Sequence, residues 1–131
     1  MNPKDNVFCV FCQRLEEKDF LSDNDSAVAI LDIYPVLKDH TLFITRRHVE
    51  DYFYTTDKER RAIDELIIQR RAQLLKEDES IAGFNIGINS GKVAGQTIFH
   101  HHVHLIPRRK MDIENPKGGV RSVIPEKKIY G

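Results

Sequence analysis

The chain has 131 residues, of which 40% are hydrophobic and 31% charged, enough for one domain that closes a single core and too little for two. Lysine plus arginine and aspartate plus glutamate both total 20, so no summed field draws in a nucleic acid or an anionic membrane, and neither is expected as a partner. The opening MNPKDNVFCVFC has neither the apolar run nor the cleavage site of a secretion signal, and no later stretch is long enough to span a bilayer; a cytoplasmic location is expected.

In chain order, the first feature is the pair Cys9 and Cys12, the only cysteines. In a reducing compartment such close spacing points to a metal site or a redox pair rather than a structural disulfide. Residues 27–32 and 41–45 are expected as strands, because β-branched and aromatic side chains cluster or alternate between turn signals. A helix is expected over 56–76: Thr56 and Glu59 form a capping box, and Ile63, Leu66, Ile67 and Leu74 recur at helical spacing. Its charged residues form the solvated face. Residues 84–89 and 98–106 complete the predicted strands. The tail, 115–131, holds two prolines and three glycines and is expected as an extended arm that needs a second subunit to lie against. The breaker-rich segments 89–95 and 115–119 are too short to link domains. The pattern predicts one α+β domain over 1–131, with a mainly antiparallel sheet of about five strands, one long helix and a short one.

All six histidines fall in two groups, His40 and His48 around the second strand and His100, His101, His102 and His104 in the last. Side chains of a strand alternate, so His100, His102 and His104 share one face while His101 and Val103 point to the other. Taken singly, a histidine here reads as a core residue or part of a metal-collecting tract. Three at strict alternation form a ridge of imidazoles suited to chemistry.

The run Gly95-Gln96-Thr97-Ile98-Phe99-His100-His101-His102-Val103-His104-Leu105-Ile106 resembles the signature of the histidine-triad (HIT) family, His-φ-His-φ-His-φ-φ with φ apolar, after a Gly-Gln-Ser/Thr lead. The likeness extends to Asp32, Pro35, His40 and His48, which follow in the family's order, and to Asn89. One departure is visible: His101 occupies a position that is apolar in the family. The resemblance implies a HIT-like fold whose sheet continues across a homodimer. It further implies that His102 is a nucleophile for the α-phosphate of a nucleotide, with its other ring nitrogen donating to a fixed acceptor. A neutral imidazole can attack this anionic centre without adding charge.

The same resemblance assigns His104, His40 and the backbone amides of 95–97 to charge developing on the phosphoryl oxygens. Gln96 and Thr97 fall where phosphate oxygens and leaving group pass, Gly95 lets the backbone approach, and Asn89 is a further phosphate contact. By residue type alone, Asn89 and Gly95 are turn residues. Asp32 is implied as the acceptor for ribose hydroxyls, against a reading as a solvated strand-end carboxylate. Phe11, Leu31 and Ile33 correspond to base-pocket positions, against a reading as core. The family's zinc-containing bacterial-type branch further implies a zinc held by Cys9, Cys12, His48 and His100, stapling the segment 1–15 to the catalytic strand and leaving His100 structural. A redox pair or two buried thiols are the competing readings.

These implications lead to an enzyme with a small-molecule nucleotide partner, no metal in the chemistry itself, and structural zinc. The first reading is a hydrolase cleaving phosphoanhydrides or phosphoramidates of adenine nucleotides, such as diadenosine polyphosphates, through a nucleotidyl-histidine. A phosphorylase or nucleotidyltransferase is the second, although the uridylyltransferase branch carries Gln where His104 stands. A zinc-stabilised nucleotide-binding adaptor is the third. Arg121 in the tail reads as an anion contact or a surface charge.

Overall fold

A computed structural model describes residues 8–130; positions 1–7 of the predicted zinc-binding segment 1–15, and Gly131 of the tail, lie outside it. The elements are α1 (Val10–Glu16), β1 (Ser22–Asp23), β2 (Ala27–Leu31), β3 (Thr41–Thr45), α2 (Asp57–Glu77), β4 (Ile81–Gly87) and β5 (His102–Arg109). The strands form one antiparallel sheet in the order β1-β2-β3-β5-β4. The chain leaves β3, crosses over in α2, lays down β4 at the edge and returns with β5 between them. The histidine-bearing strand is therefore held by hydrogen bonds on both sides.

Alternation explains why every residue of β3 is buried. Ala27, Ala29, Phe43, Val103 and Leu105 turn to one face and pack on Ala62, Ile63, Leu66 and Leu74 of α2. Val28, Ile30, Leu42 and Ile44 turn to the other and pack on Phe11 of α1. Truncating one such residue, Leu66→Ala for example, costs about 2–5 kcal/mol through lost transfer energy and the cavity left behind.

α2 begins where the capping box places it. Thr56 accepts from the Glu59 amide at 3.1 Å, and the Glu59 carboxylate accepts from the Thr56 amide at 2.9 Å. Glu59 is buried because Arg47 grips its carboxylate from two nitrogens, at 2.7 and 3.1 Å. α1 is the expected short helix; its N-cap is the Cys9 sulfur, which accepts from the Cys12 amide at 3.4 Å.

Three expectations need correction. β5 starts at His102 and runs to Arg109, not over 98–106. Ahead of it the His100 ring donates to the Thr45 carbonyl at 2.6 Å, and the His101 amide donates to Val49 at 2.7 Å. A side chain thus takes the acceptor that a continued ladder would use. β4 occupies Ile81–Gly87 rather than 84–89, starting from the Asp78–Ser80 turn and stopping short of Asn89, which is left on a loop. The tail is not extended: Gly119–Val123 and Pro125–Lys127 each make a 3₁₀ turn. Gly118 enters the first with φ of 82°, where a side chain would be strained and would meet the Lys128 carbonyl. Among the described residues, no helix is long and apolar enough to cross a membrane.

Candidate active site

β3 and β5 pair Ile44 with His102 and Leu42 with His104, which puts both imidazoles on the face that α1 covers. His101, one residue out of step, turns to the α2 face, where its buried ring meets the Tyr52 ring edge-on at 6.0 Å. The alternation read from the sequence holds for the side chains even though His100 and His101 precede the ladder.

The protonation of this face follows from its acceptors. His102 Nδ1 lies 2.8 Å from the His100 carbonyl, and a carbonyl can only accept, so Nδ1 carries the proton and Nε2 keeps its lone pair. Burial pulls the His102 ring below the ordinary value of 6.5, against that hydrogen bond and the Asp32 charge, which favour the cation. A neutral ring with a fixed tautomer and a bare Nε2 is equipped to act as a nucleophile.

His40 and His104 form a second chain. The Val36 amide donates to His40 Nδ1 at 3.1 Å, which fixes the His40 proton on Nε2. That proton is donated to His104 Nδ1 at 2.9 Å, with an Asp32 carboxylate oxygen 3.5 Å from the same nitrogen. His104 Nδ1 must then accept, so His104 Nε2 carries a proton, and its ring lies 5.2 Å from that of His102. Burial, reinforced by His102 and His40, holds His104 down to about 4. The face therefore presents a lone pair at His102 beside an N–H at His104. Asp32, His40 and His104 are close enough to hold a metal ion, but the Val36 amide keeps a proton on the nitrogen that would have to ligate it.

The remaining predicted residues divide. Gly95 has φ of 98°, and a Cβ there would meet the Asn89 side chain at 3.9 Å, so these two are neighbours on the loop before β5. Thr97 is exposed. Gln96 is turned inward: its carbonyl accepts from the Gly91 amide at 2.8 Å, and its NH₂ donates to the carbonyls of Glu50 at 2.7 Å and Ile98 at 3.1 Å. Its amide is used in holding the loop. Leu31 and Ile33 are 42% and 70% exposed and available to a ligand, whereas Phe11 is buried with its ring 5.0 Å from that of His102. Arg121 donates to the Lys127 carbonyl at 2.9 Å and lies over the Tyr130 ring, closing the tail on itself.

Cys9, Cys12, His48 and His100 converge beside this face, their ligand atoms within 4.8 Å of one another. The sulfur-to-nitrogen separations of 3.2, 3.4 and 3.5 Å match the edge of about 3.5 Å that follows from ordinary zinc–sulfur and zinc–nitrogen bonds at tetrahedral angles. Because His100 Nε2 donates to Thr45, its Nδ1 is bare toward the sulfurs. Burial and then Cys9 push the Cys12 thiol up to about 12, the response of clustered sulfurs that a divalent cation would reverse. The donor set fits zinc.

Sequence reasoning expected a backbone carbonyl as the acceptor for the His102 ring, which His100 supplies, but missed the Val36 amide and the Thr45 carbonyl. These are backbone groups, and residue types carry no sign of them.

The HIT domain family model matches residues 13–111. An uncharacterized 16.1 kDa HIT-like protein of Mycoplasma pneumoniae is 37% identical over 106 residues, covering 79% of this chain and 73% of that one. A zinc-bound histidine triad family protein from Mycobacterium smegmatis superposes with a TM-score of 0.70 at 34% identity, over 82% of this chain and 79% of the other. A hypothetical histidine triad nucleotide-binding protein from Sulfolobus tokodaii gives 0.68 at 31% identity, over 79% and 71%. With its alternating histidines, the loop that leads into them and most of its length matched in this way, the chain belongs to the HIT family.

Proposed function

We propose that the protein is a nucleotide hydrolase that breaks a phosphoanhydride or phosphoramidate bond at the α-phosphate of an adenine nucleotide, with His102 as the transient carrier. The observation that carries this reading is the 2.8 Å bond from His102 Nδ1 to the His100 carbonyl, which leaves Nε2 unprotonated on a neutral ring. In the first step Nε2 forms a bond to phosphorus. The bond to the leaving atom breaks with its electron pair, and that atom takes a proton from water. The ring, still holding its Nδ1 proton, carries the positive charge of the adduct against the His100 carbonyl. In the second step a water oxygen bonds to phosphorus, the electron pair of the phosphorus–nitrogen bond returns to Nε2, and the water proton passes to solvent.

His104, held by His40, and the Thr97 amide meet charge on the phosphoryl oxygens, since the Gly95 and Gln96 amides already donate to the Lys92 and Gly91 carbonyls at 3.0 and 3.1 Å. Asn89 and Thr97 complete the phosphate contacts, and Gly95 gives the backbone its approach. Asp32 takes the ribose hydroxyls, and Leu31 and Ile33, with Phe11 behind them, border the base. Gln96 serves by fixing the loop. Zinc on Cys9, Cys12, His48 and His100 is structural, tying α1 to β5. The kinship with a nucleotide-binding protein from Sulfolobus tokodaii supports a nucleotide ligand.

Brief mixing with an adenosine 5′-phosphoramidate, followed by a cold alkaline denaturing quench, which spares the phosphorus–nitrogen bond, and mass spectrometry, tests the reading. One adenylyl group should map to His102. Product release without any adduct, or reversible binding alone, would overturn it.

A further inference from the structure

The histidine row has two ends. β3 pairs Leu42 with His104 and Ile44 with His102, so Asp32 and His40 stand at one end and Thr45, His48 and His100 at the other. Past this second end the surface opens into a cleft of about 390 Å³, walled chiefly by Phe8, Val10, Ile98 and Phe99, bordered by Thr97 and Glu50, and floored on one side by Cys9 and His48 of the metal-ligand cluster. That volume falls in the range of small-molecule sites. Phe8 and Phe99 are 70% and 37% exposed, so their rings are accessible to a ligand. Among the described residues, most of the lining side chains are apolar. A chain of further phosphates would meet mostly carbon there.

We propose that this cleft is a leaving-group subsite for an apolar organic group joined to the α-phosphate. The inference rests on the nucleotide reading above: with ribose on Asp32 and phosphorus at His102, the substrate beyond the scissile bond extends past Thr97, which belongs both to the loop before β5 and to the rim of the cleft. The segment that brings in the two cysteines also supplies Phe8 and Val10, so one stretch of chain both offers metal ligands and sets the size and polarity of the subsite. Binding energy from such a remote, unreacting part of the substrate is realised as kcat/KM when it helps to hold phosphorus at the nucleophile.

The test is a homologous series of adenosine 5′-phosphoramidates of ethylamine, butylamine and hexylamine, with diadenosine triphosphate alongside, on the zinc-loaded protein. Each methylene buried in the cleft should raise kcat/KM roughly fourfold, and the hexyl compound should outrun the triphosphate. Phe8→Ser and Phe99→Ser, made separately, should flatten the series while leaving the ethyl compound unchanged. Equal rates across the series in the unaltered protein, or a slope that survives both substitutions, would overturn the subsite and leave the hydrolase intact. No turnover of any compound, with no adduct on His102, would instead remove the hydrolase reading and the subsite with it.

Discussion

A histidine can attack, donate or ligate, and what holds one ring nitrogen decides what the other is free to do. His100 donates from Nε2 to Thr45 and turns Nδ1 to the cysteines; His102 donates from Nδ1 and bares Nε2; His104 accepts at Nδ1 and is left with an N–H. Substitutions should separate these duties. His102→Ala is expected to abolish turnover while nucleotide binding persists, because ribose and base contacts lie elsewhere. His104→Ala should slow single-turnover chemistry by on the order of a hundredfold, the usual cost of one oxyanion donor. His101→Val should be close to silent, since that ring faces α2. Near-normal turnover by His102→Ala, or its loss in a folded His101→Val protein, would show that the nucleophile has been misassigned.

The same rings set a pH dependence. Burial holds His104 and His101 at about 4 in the folded chain, against 6.5 for a free imidazole. Between those values the unfolded chain binds protons that the folded one refuses. The stability these groups contribute is therefore complete above pH 6.5 and declines as pH falls from 6.5 toward 4. The melting temperature should drop over that interval. The acid limb of kcat/KM should lie below 6.5 because the His102 ring also resists protonation. A limb centred at or above 6.5 would mean that these rings are not held neutral by burial.

β5 shows what could be read from sequence and what could not. Alternation fixed the faces of His101, His102 and His104, because a two-residue period survives small errors in where a strand starts. Its first residue was misjudged, since the competitor for the Thr45 carbonyl is the His100 ring. The capping box at Thr56 was legible because both its partners are side chains three residues apart. β1 left no readable pattern in two residues, and the inward turn of Gln96 depends on carbonyls contributed by distant residues. α1 and its cysteines were legible by spacing, and they lead to a direct test. Cys9→Ser or Cys12→Ser should lower bound zinc from about one per chain and reduce thermal stability first, activity following from that loss. Structural zinc sites contribute on the order of 10 kcal/mol, so the shift in melting should be plain. Elemental analysis without zinc, in a folded protein whose thiols both titrate freely, would exclude the site.

The arrangement of these elements leaves apolar surface without cover from the described residues. Among the described residues β4 ends the sheet and is paired only with β5, while Ile86 and Ile88 beside that edge are 53% and 40% exposed. The tail folds into turns yet still shows Val120, Val123, Ile124 and Tyr130 to solvent, each more than half exposed. Unpaired sheet edges carry a row of open donors and acceptors and are ordinarily blunted or covered. A second copy related by a twofold axis would cover the edge with the same edge, joining two sheets antiparallel, and would give the tail a surface. A homodimer is therefore expected, with the buried area of about 800 Å² per partner that a stable association needs. Light scattering should give twice the monomer mass at micromolar concentration. Ile86→Lys, which places a charge beside the edge, should shift the protein toward monomer while leaving the histidine row in place. A strictly monomeric and fully active preparation would show that the edge is left open in solution and that the site is complete within one chain.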